Sequence, residues 1–192
     1  YNITGGSDIT ASLSGSDVSF SSPANYNGSE EFTVSVTDGT ETDSQSITVT
    51  VNAVNDAPVA TAGLSGATDE DQSTVVTLSG SDIDGDNLTF TVGSATNGTL
   101  EISGSLVTYT PDANYNGDDS FDFTVSDGEY SSTESVTLTV SAVNDAPVLA
   151  TVSDVSFDED GSGSLSLSAD DVDGDVLSYS ITSGVDITAT LD

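Results

Sequence analysis

The stretch Ala53-Val54-Asn55-Asp56-Ala57-Pro58-Val59 returns without change as Ala142-Val143-Asn144-Asp145-Ala146-Pro147-Val148, an offset of 89 residues. Working outward, Ala24-Asn25-Tyr26-Asn27-Gly28 recurs as Ala113-Asn114-Tyr115-Asn116-Gly117, and Asp84-Gly85-Asp86 as Asp173-Gly174-Asp175, at the same spacing. Self-similarity at a fixed period marks a tandem array, and 89 residues is the length of a small β-sandwich domain. At twice that offset, Tyr179-Ser180-Ile181-Thr182 matches Tyr1-Asn2-Ile3-Thr4, and Asp186-Ile187-Thr188-Ala189 matches Asp8-Ile9-Thr10-Ala11. The expected organisation is the C-terminal half of a repeat at 1–54, a complete repeat at 55–143, and the N-terminal half of the next at 144–192.

Within the complete repeat, apolar residues alternate with polar ones. Leu88, Phe90 and Val92 form one stripe, Val107 and Tyr109 a second, Phe121, Phe123 and Val125 a third, and Val136, Leu138 and Val140 a fourth. Val76 with Leu78 and Leu100 with Ile102 complete the set. A period of two is the signature of half-buried strands. Asp84-Gly85, Asn97-Gly98, Ser103-Gly104, Asn116-Gly117 and Asp127-Gly128 supply turns between them. No stretch carries a helical period. About seven short strands per repeat predict an all-β, Ig-like sandwich. Its aromatics, Phe90, Tyr109, Phe121 and Phe123, read as core rather than as a carbohydrate platform, and Tyr115 as the anchor of a loop.

Charge sets the second constraint. The chain has 33 Asp and Glu, no Lys, no Arg and no His. No side-chain salt bridge can form, so each carboxylate is solvated, hydrogen-bonded or bound to a metal ion. Two carboxylates about 4 Å apart repel by roughly 4 kcal/mol at an effective dielectric of 20, so a tight acidic cluster calls for an imported cation or dense hydration. The sign excludes nucleic acid and anionic membrane as partners, because phosphate is held by Lys and Arg. Disorder, the usual meaning of high net charge, conflicts with 34% hydrophobic residues in regular alternation. Cys is absent, and no apolar run approaches the roughly 20 residues of a membrane-spanning helix. With no initiator Met and no leader-like start, an internal fragment of a secreted chain is expected.

Three acidic elements recur with the period: Asp69-Glu70-Asp71 with Asp158-Glu159-Asp160, Asp82-Ile83-Asp84-Gly85-Asp86 with Asp171-Val172-Asp173-Gly174-Asp175, and Thr37-Asp38-Gly39 with Ser126-Asp127-Gly128. Calcium takes six to eight hard oxygen ligands, and alternate Asp residues around a Gly can aim several at one point. The bidentate Glu that would complete an EF-hand loop is missing. Acids that repeat with the period, without His, Cys, Lys or Arg, point away from a catalytic constellation, and no enzyme activity is expected. The Asn-x-Ser/Thr triplets at Asn2, Asn27, Asn87 and Asn97 are of a kind that such a composition produces by chance.

Taken together, Asn-Asp-Ala-Pro, Asp-x-Asp, Val-x-Asp-Gly and Ala-Asn-Tyr-Asn-Gly resemble the cadherin-like tandem repeats of large bacterial secreted surface adhesins, over essentially the whole chain. The resemblance implies Ca2+ at the domain junctions, stiffening the array. Carried over by position, the first junction would use Asn55, Asp56, Asp82, Asp84 and Asp127, with Glu30 from the preceding domain. The second would use Glu70, Asp119, Asn144, Asp145, Asp171 and Asp173. The chain departs from cadherins in having Ala53 and Ala142 where that linker begins with Asp, and in having one residue fewer between Asp56 and Pro58. The implied role is a calcium-rigidified extender in an extracellular or cell-surface adhesin, with neighbouring repeats as partners. The second expectation is a self-assembling filament or sheath subunit whose half domains at 1–54 and 144–192 complement one another between copies, head to tail.

Overall fold

In the computed structural model, residues 1–182, 184 and 189–191 are described. The Asp186-Ile187-Thr188 part of the repeat match lies outside them. Among the described residues all regular structure is β.

The strands of the first segment are β1 (Asn2–Gly5), β2 (Thr10–Ser14), β3 (Asp17–Ser21), β4 (Gly28–Thr37) and β5 (Thr42–Val51). Next come β6 (Val59–Ala60), β7 (Ser65–Asp69), β8 (Thr74–Thr77), β9 (Gly80–Ser81), β10 (Thr89–Val92), β11 (Gly98–Ser103), β12 (Leu106–Pro111), β13 (Gly117–Ser126) and β14 (Ser131–Ser141). The last two are β15 (Val148–Leu149) and β16 (Ala169–Asp170).

Between residues 59 and 141 the strands form a four-stranded sheet, β10-β13-β14-β7, and a three-stranded sheet, β11-β12-β8, with the short pair β6-β9 beside them. Strand β7 runs parallel to β14, and the other pairs are antiparallel. Strand β13 shows why the sequence builds this. Phe121, Phe123 and Val125 point inward and are buried, while Asp118, Ser120 and Asp122 between them face out. Val136, Leu138 and Val140 of β14, with Val107 and Tyr109 of β12, fill the space opposite. Each large apolar side chain so buried contributes about 1.5–3 kcal/mol. Leu88, Phe90, Val92 and Leu100 pack partly buried around this core, whereas Ile102, expected in the same stripe, is exposed. Asn97-Gly98, read as a turn, owes its glycine to close approach: a Cβ on Gly98 would lie 2.5 Å from the Thr110 carbonyl oxygen and 2.6 Å from the Tyr109 ring.

Strands β1 to β5 repeat β10 to β14 in order, and β15-β16 repeats β6-β9, with Val148↔Asp170 answering Val59↔Ser81. The flanking segments differ in burial. Phe20, Val36 and Ile47 are 36%, 43% and 37% exposed, while their counterparts Tyr109, Val125 and Val136 are each 0% exposed. In the complete domain the covering layer is supplied by β6 to β9 and the chain between them.

Candidate functional site: acids at the two linkers

The linker residues Asn55 and Asp56 meet the turns of the domain that follows them. The Asn55 side-chain amide donates to Asp127 Oδ2 at 2.9 Å, and the Asp56 backbone N–H donates to Asp84 Oδ2 at 2.7 Å. The Asp-x-Asp-Gly-Asp turn organises itself around one oxygen. Asp82 Oδ1 accepts from the backbone N–H groups of Asp84 (2.8 Å), Gly85 (3.1 Å) and Asp86 (3.4 Å). That arrangement gathers Asp82, Asp84 and Asp86, whose ligand oxygens lie within 4.8 Å of one another. The other oxygen, Asp82 Oδ2, is buried and meets no donor. Resemblance had carried over Asp82 and Asp84 but not Asp86; the alternate-position spacing of the motif already contained it.

The second linker repeats the pattern. The Asp145 N–H donates to Asp173 Oδ2 at 2.6 Å, and Asp171 Oδ1 accepts from Asp173 (3.0 Å) and Asp175 (3.2 Å). From the preceding domain, Glu70 reaches the same place, its Oε1 accepting the Val143 N–H at 2.5 Å. Glu70 is 4% exposed, and its Oε2 and Asp145 Oδ2 are both buried without a donor. Loss of solvent pushes the Asp145 carboxyl above the usual carboxylate range, and the charges of Asp173, Asp71, Glu70 and Asp171 push it further. Four acids therefore act on Asp145 across this linker. Asn144 turns its amide N–H onto the Asp145 carbonyl (2.7 Å), which leaves its side-chain oxygen uncommitted to that bond. An unmade bond to a buried charged oxygen costs more than the roughly 1–3 kcal/mol of a neutral group. With no Lys, Arg or His in the chain, the missing partner is not a side-chain cation of the protein.

Three other expected ligands have different surroundings. Asp119, 8% exposed, accepts four bonds: Thr96 N–H (3.2 Å) and Ser120 N–H (2.8 Å) on Oδ1, Asn97 N–H (2.9 Å) and the Tyr109 hydroxyl (3.0 Å) on Oδ2. Burial pushes its carboxyl up, but the bonds from Asn97, Ser120, Thr96 and Tyr109 outweigh it and hold the group below the ordinary range. Glu30, one period earlier, accepts from the backbone N–H groups of Ser7, Asp8 and Ile9 and from the Ser7 hydroxyl at 2.9–3.0 Å. Both acids brace the loop before β2 or β11, and their oxygens are occupied there. The position-by-position carry-over placed them among the junction ligands because the resemblance fixes sequence order, not side-chain partners. Asp127 has Oδ1 taken by the N–H groups of Glu129 (2.7 Å) and Tyr130 (2.6 Å) and Oδ2 by Asn55. It positions Asn55.

What this set of groups suits is a hard divalent cation: every donor is oxygen, three of the oxygens are buried and unpartnered, and one carboxylate caps each of the linker N–H groups of Asp56, Val143 and Asp145. The profile of the bacterial Ig domain family matches residues 55–141. No curated protein sequence matches the chain. Among solved structures, human protocadherin-24 EC1-2 is 17% identical with a TM-score of 0.50, over 76% of this chain and 81% of that one. Drosophila N-cadherin EC1-4 is 14% identical with a TM-score of 0.44, over 70% and 37%. An endo-fucoidan hydrolase from glycoside hydrolase family 107 is 24% identical with a TM-score of 0.39, over 74% of this chain and 24% of its own. The chain thus spans about a quarter of that hydrolase's length. The alternating strands, the two packed sheets and the matched profile together make residues 55–141 a bacterial Ig domain with a cadherin-like β-sandwich fold.

Proposed function

We propose that this chain is a calcium-stiffened extender of a large secreted or cell-surface adhesin, structural in role and without catalysis. Bacterial Ig domains are typically found on surface or secreted proteins. The observation that carries the proposal is the position of the buried, unpartnered oxygens: Glu70 Oε2, Asp82 Oδ2 and Asp145 Oδ2 all lie at the two linkers. At the first linker Asp82, Asp84 and Asp86 would hold the ion, with Asn55 and Asp56 beside them. At the second, Glu70, Asp145, Asp171 and Asp173 would do so, with Asn144. The ion supplies positive charge where the chain has none, and it would join acids from one domain to those of the next.

The Val143 N–H is held by the preceding domain and the Asp145 N–H by the following one. Only Asn144 separates the two grips, so a cation bound there would lock a one-residue hinge. Small-angle scattering with calcium and then with chelator tests this. The maximum dimension should be longer and better defined in calcium; identical scattering in both would refute it.

A second reading is favoured by the exposed apolar face of β1 to β5. Residues 148–170 match the segment that covers this face in the complete domain, so a second copy could complete the sandwich head to tail. Light scattering across a concentration series separates the readings. Growing mass supports complementation between copies, and a constant monomer mass rules it out.

A further inference from the structure

The inner face of β1 to β5 is indented by a cavity of about 310 Å3, walled by Tyr1, Val34, Val36, Asp43 and Ile47. One period later, Phe90, Phe123, Val125 and Val136 lie in or against a core that Ala60, Val76 and Leu78 close. The closing segment is held to the sheet at two places. The Ala60 N–H donates to the Ser132 hydroxyl at 3.3 Å, and β7 adds in parallel to the edge of β14, with Gly66 opposite Leu138. In the first segment the matching edge is β5, and it carries no further strand among the described residues.

Residues 148–170 hold the counterpart of that closing segment and turn it outward: Leu149, Val155, Phe157 and Leu165 are 42% to 55% exposed. Their sizes suit β5 and not β14. A Cβ on Gly66 would lie 2.7 Å from Val76 Cγ2 and 3.1 Å from Leu138 Cδ2, so the complete domain has no room for a larger residue there. The counterparts reverse this: Val155 stands for Gly66, the smaller Val49 for Leu138, and Gly163 for Thr74. A Cβ on Gly163 would lie 2.7 Å from Val155 Cγ1, so Val155 already fills the space that Gly163 leaves. Asp43, the counterpart of Ser132, is placed to accept the Leu149 N–H as Ser132 accepts that of Ala60. Past the strand, the Glu70 N–H donates to the Ser141 carbonyl at 2.9 Å and its Oε1 accepts the Val143 N–H. The counterparts are an exposed Glu159 and, after β5, Asn52 and Val54; Val54 is 78% exposed against 46% for Val143.

We infer that residues 148–170 of one copy close the first segment of a second copy, with 154–158 adding in parallel to the free edge of β5 and Val155 opposite Val49. This rests on the second reading above and gives it a register. Parallel addition to an open sheet edge supplies main-chain bonds, and the alternate inward side chains supply the fit. The contact is heterologous, so it repeats into head-to-tail chains or closed rings.

The chain has no Cys, so an introduced pair reports only the designed contact. Thr50 and Ser156 are the counterparts of Thr139 and Ala67, which face one another across β14 and β7. Full chains carrying Thr50→Cys and Ser156→Cys are mixed and oxidised at about 0.15 M sodium chloride, which limits repulsion between exposed charges to about 8 Å. The mixed disulfide should exceed either self-linked dimer at least fivefold, and Thr50→Cys with Ser164→Cys should show no excess. In parallel, Val155→Asp, at an exposed position that the chain's own fold does not need, should weaken association by light scattering at least tenfold. Mass that grows with concentration, without the mixed disulfide and unaffected by Val155→Asp, overturns this register while head-to-tail complementation stands. A constant monomer mass with no mixed disulfide leaves the face to some other partner and overturns both.

Discussion

Two buried acids of the complete domain, Asp119 and Glu70, teach opposite lessons. Asp119 has all its bonds made by the protein, from three backbone N–H groups and a buried tyrosine hydroxyl. Glu70 has one oxygen bonded to the Val143 N–H and the other buried against nothing that donates. Equal burial therefore does not mean equal purpose. A carboxylate whose hydrogen bonds are all made is part of the scaffold; one with a buried, unpartnered oxygen close to other acids is where the proposed cation would bind. The chain's formal charge of -33 makes this contrast sharper than it would be in a protein with lysines to spare.

The largest effect expected from breaking this contrast is at Asp119. Asp119→Ala should destabilise the domain by about 3 kcal/mol, since it strands buried donors including the Tyr109 hydroxyl. Denaturant unfolding should show this equally with and without calcium. Calcium itself comes next: at a hundred times its dissociation constant, a site absent from the unfolded chain adds about 2.7 kcal/mol. Melting curves should therefore rise with calcium in the parent chain. In Glu70→Gln that rise should shrink, while the chelated protein becomes no less stable, because one of the crowded charges has gone.

A smaller effect separates the two classes by pH. Asp119, Asp127 and Asp38 are held below the ordinary range by their hydrogen bonds, so their stabilisation is present at neutral pH and is lost only as pH falls through their lowered values, below about 4. Asp145 is raised, so its protonation is favoured in the folded state. Without calcium, lowering the pH should protonate Asp145 and relieve the second linker before the carboxyls with lowered values take up their protons. Titration of the Asp145 carboxyl followed by NMR, in chelator, checks the sign. The smallest expected change is with salt: sodium chloride screens exposed charges and should raise the chelated melting temperature slightly.

Much of this was legible before any coordinates. The 89-residue period and the stripes at Phe121-Phe123-Val125 and Val136-Leu138-Val140 lead directly to two packed sheets, because a strand's two faces alternate. The gathering of Asn55, Asp56, Asp84 and Asp127 was also within reach, since each sits in a repeated turn or linker motif. Three things were not. Whether a carboxylate's bonds are already filled depends on loops far away in sequence, as for Glu30 with Ser7 to Ile9. The parallel pairing of β7 with β14, which brings Glu70 to the linker, is a tertiary fact that no local pattern encodes. And the Asn25-Tyr26-Asn27 loop read only as a tyrosine-anchored turn, so its sharing a cavity lining with Asp56 and Asp84 had no signal except its recurrence.

The most direct measurement is anomalous diffraction from crystals of this chain grown in calcium. Our account predicts difference peaks beside Asp82 Oδ2 and between Glu70 Oε2 and Asp145 Oδ2, each surrounded by oxygen. Well-ordered linkers with no peak, and with those three oxygens hydrated by water alone, would contradict it.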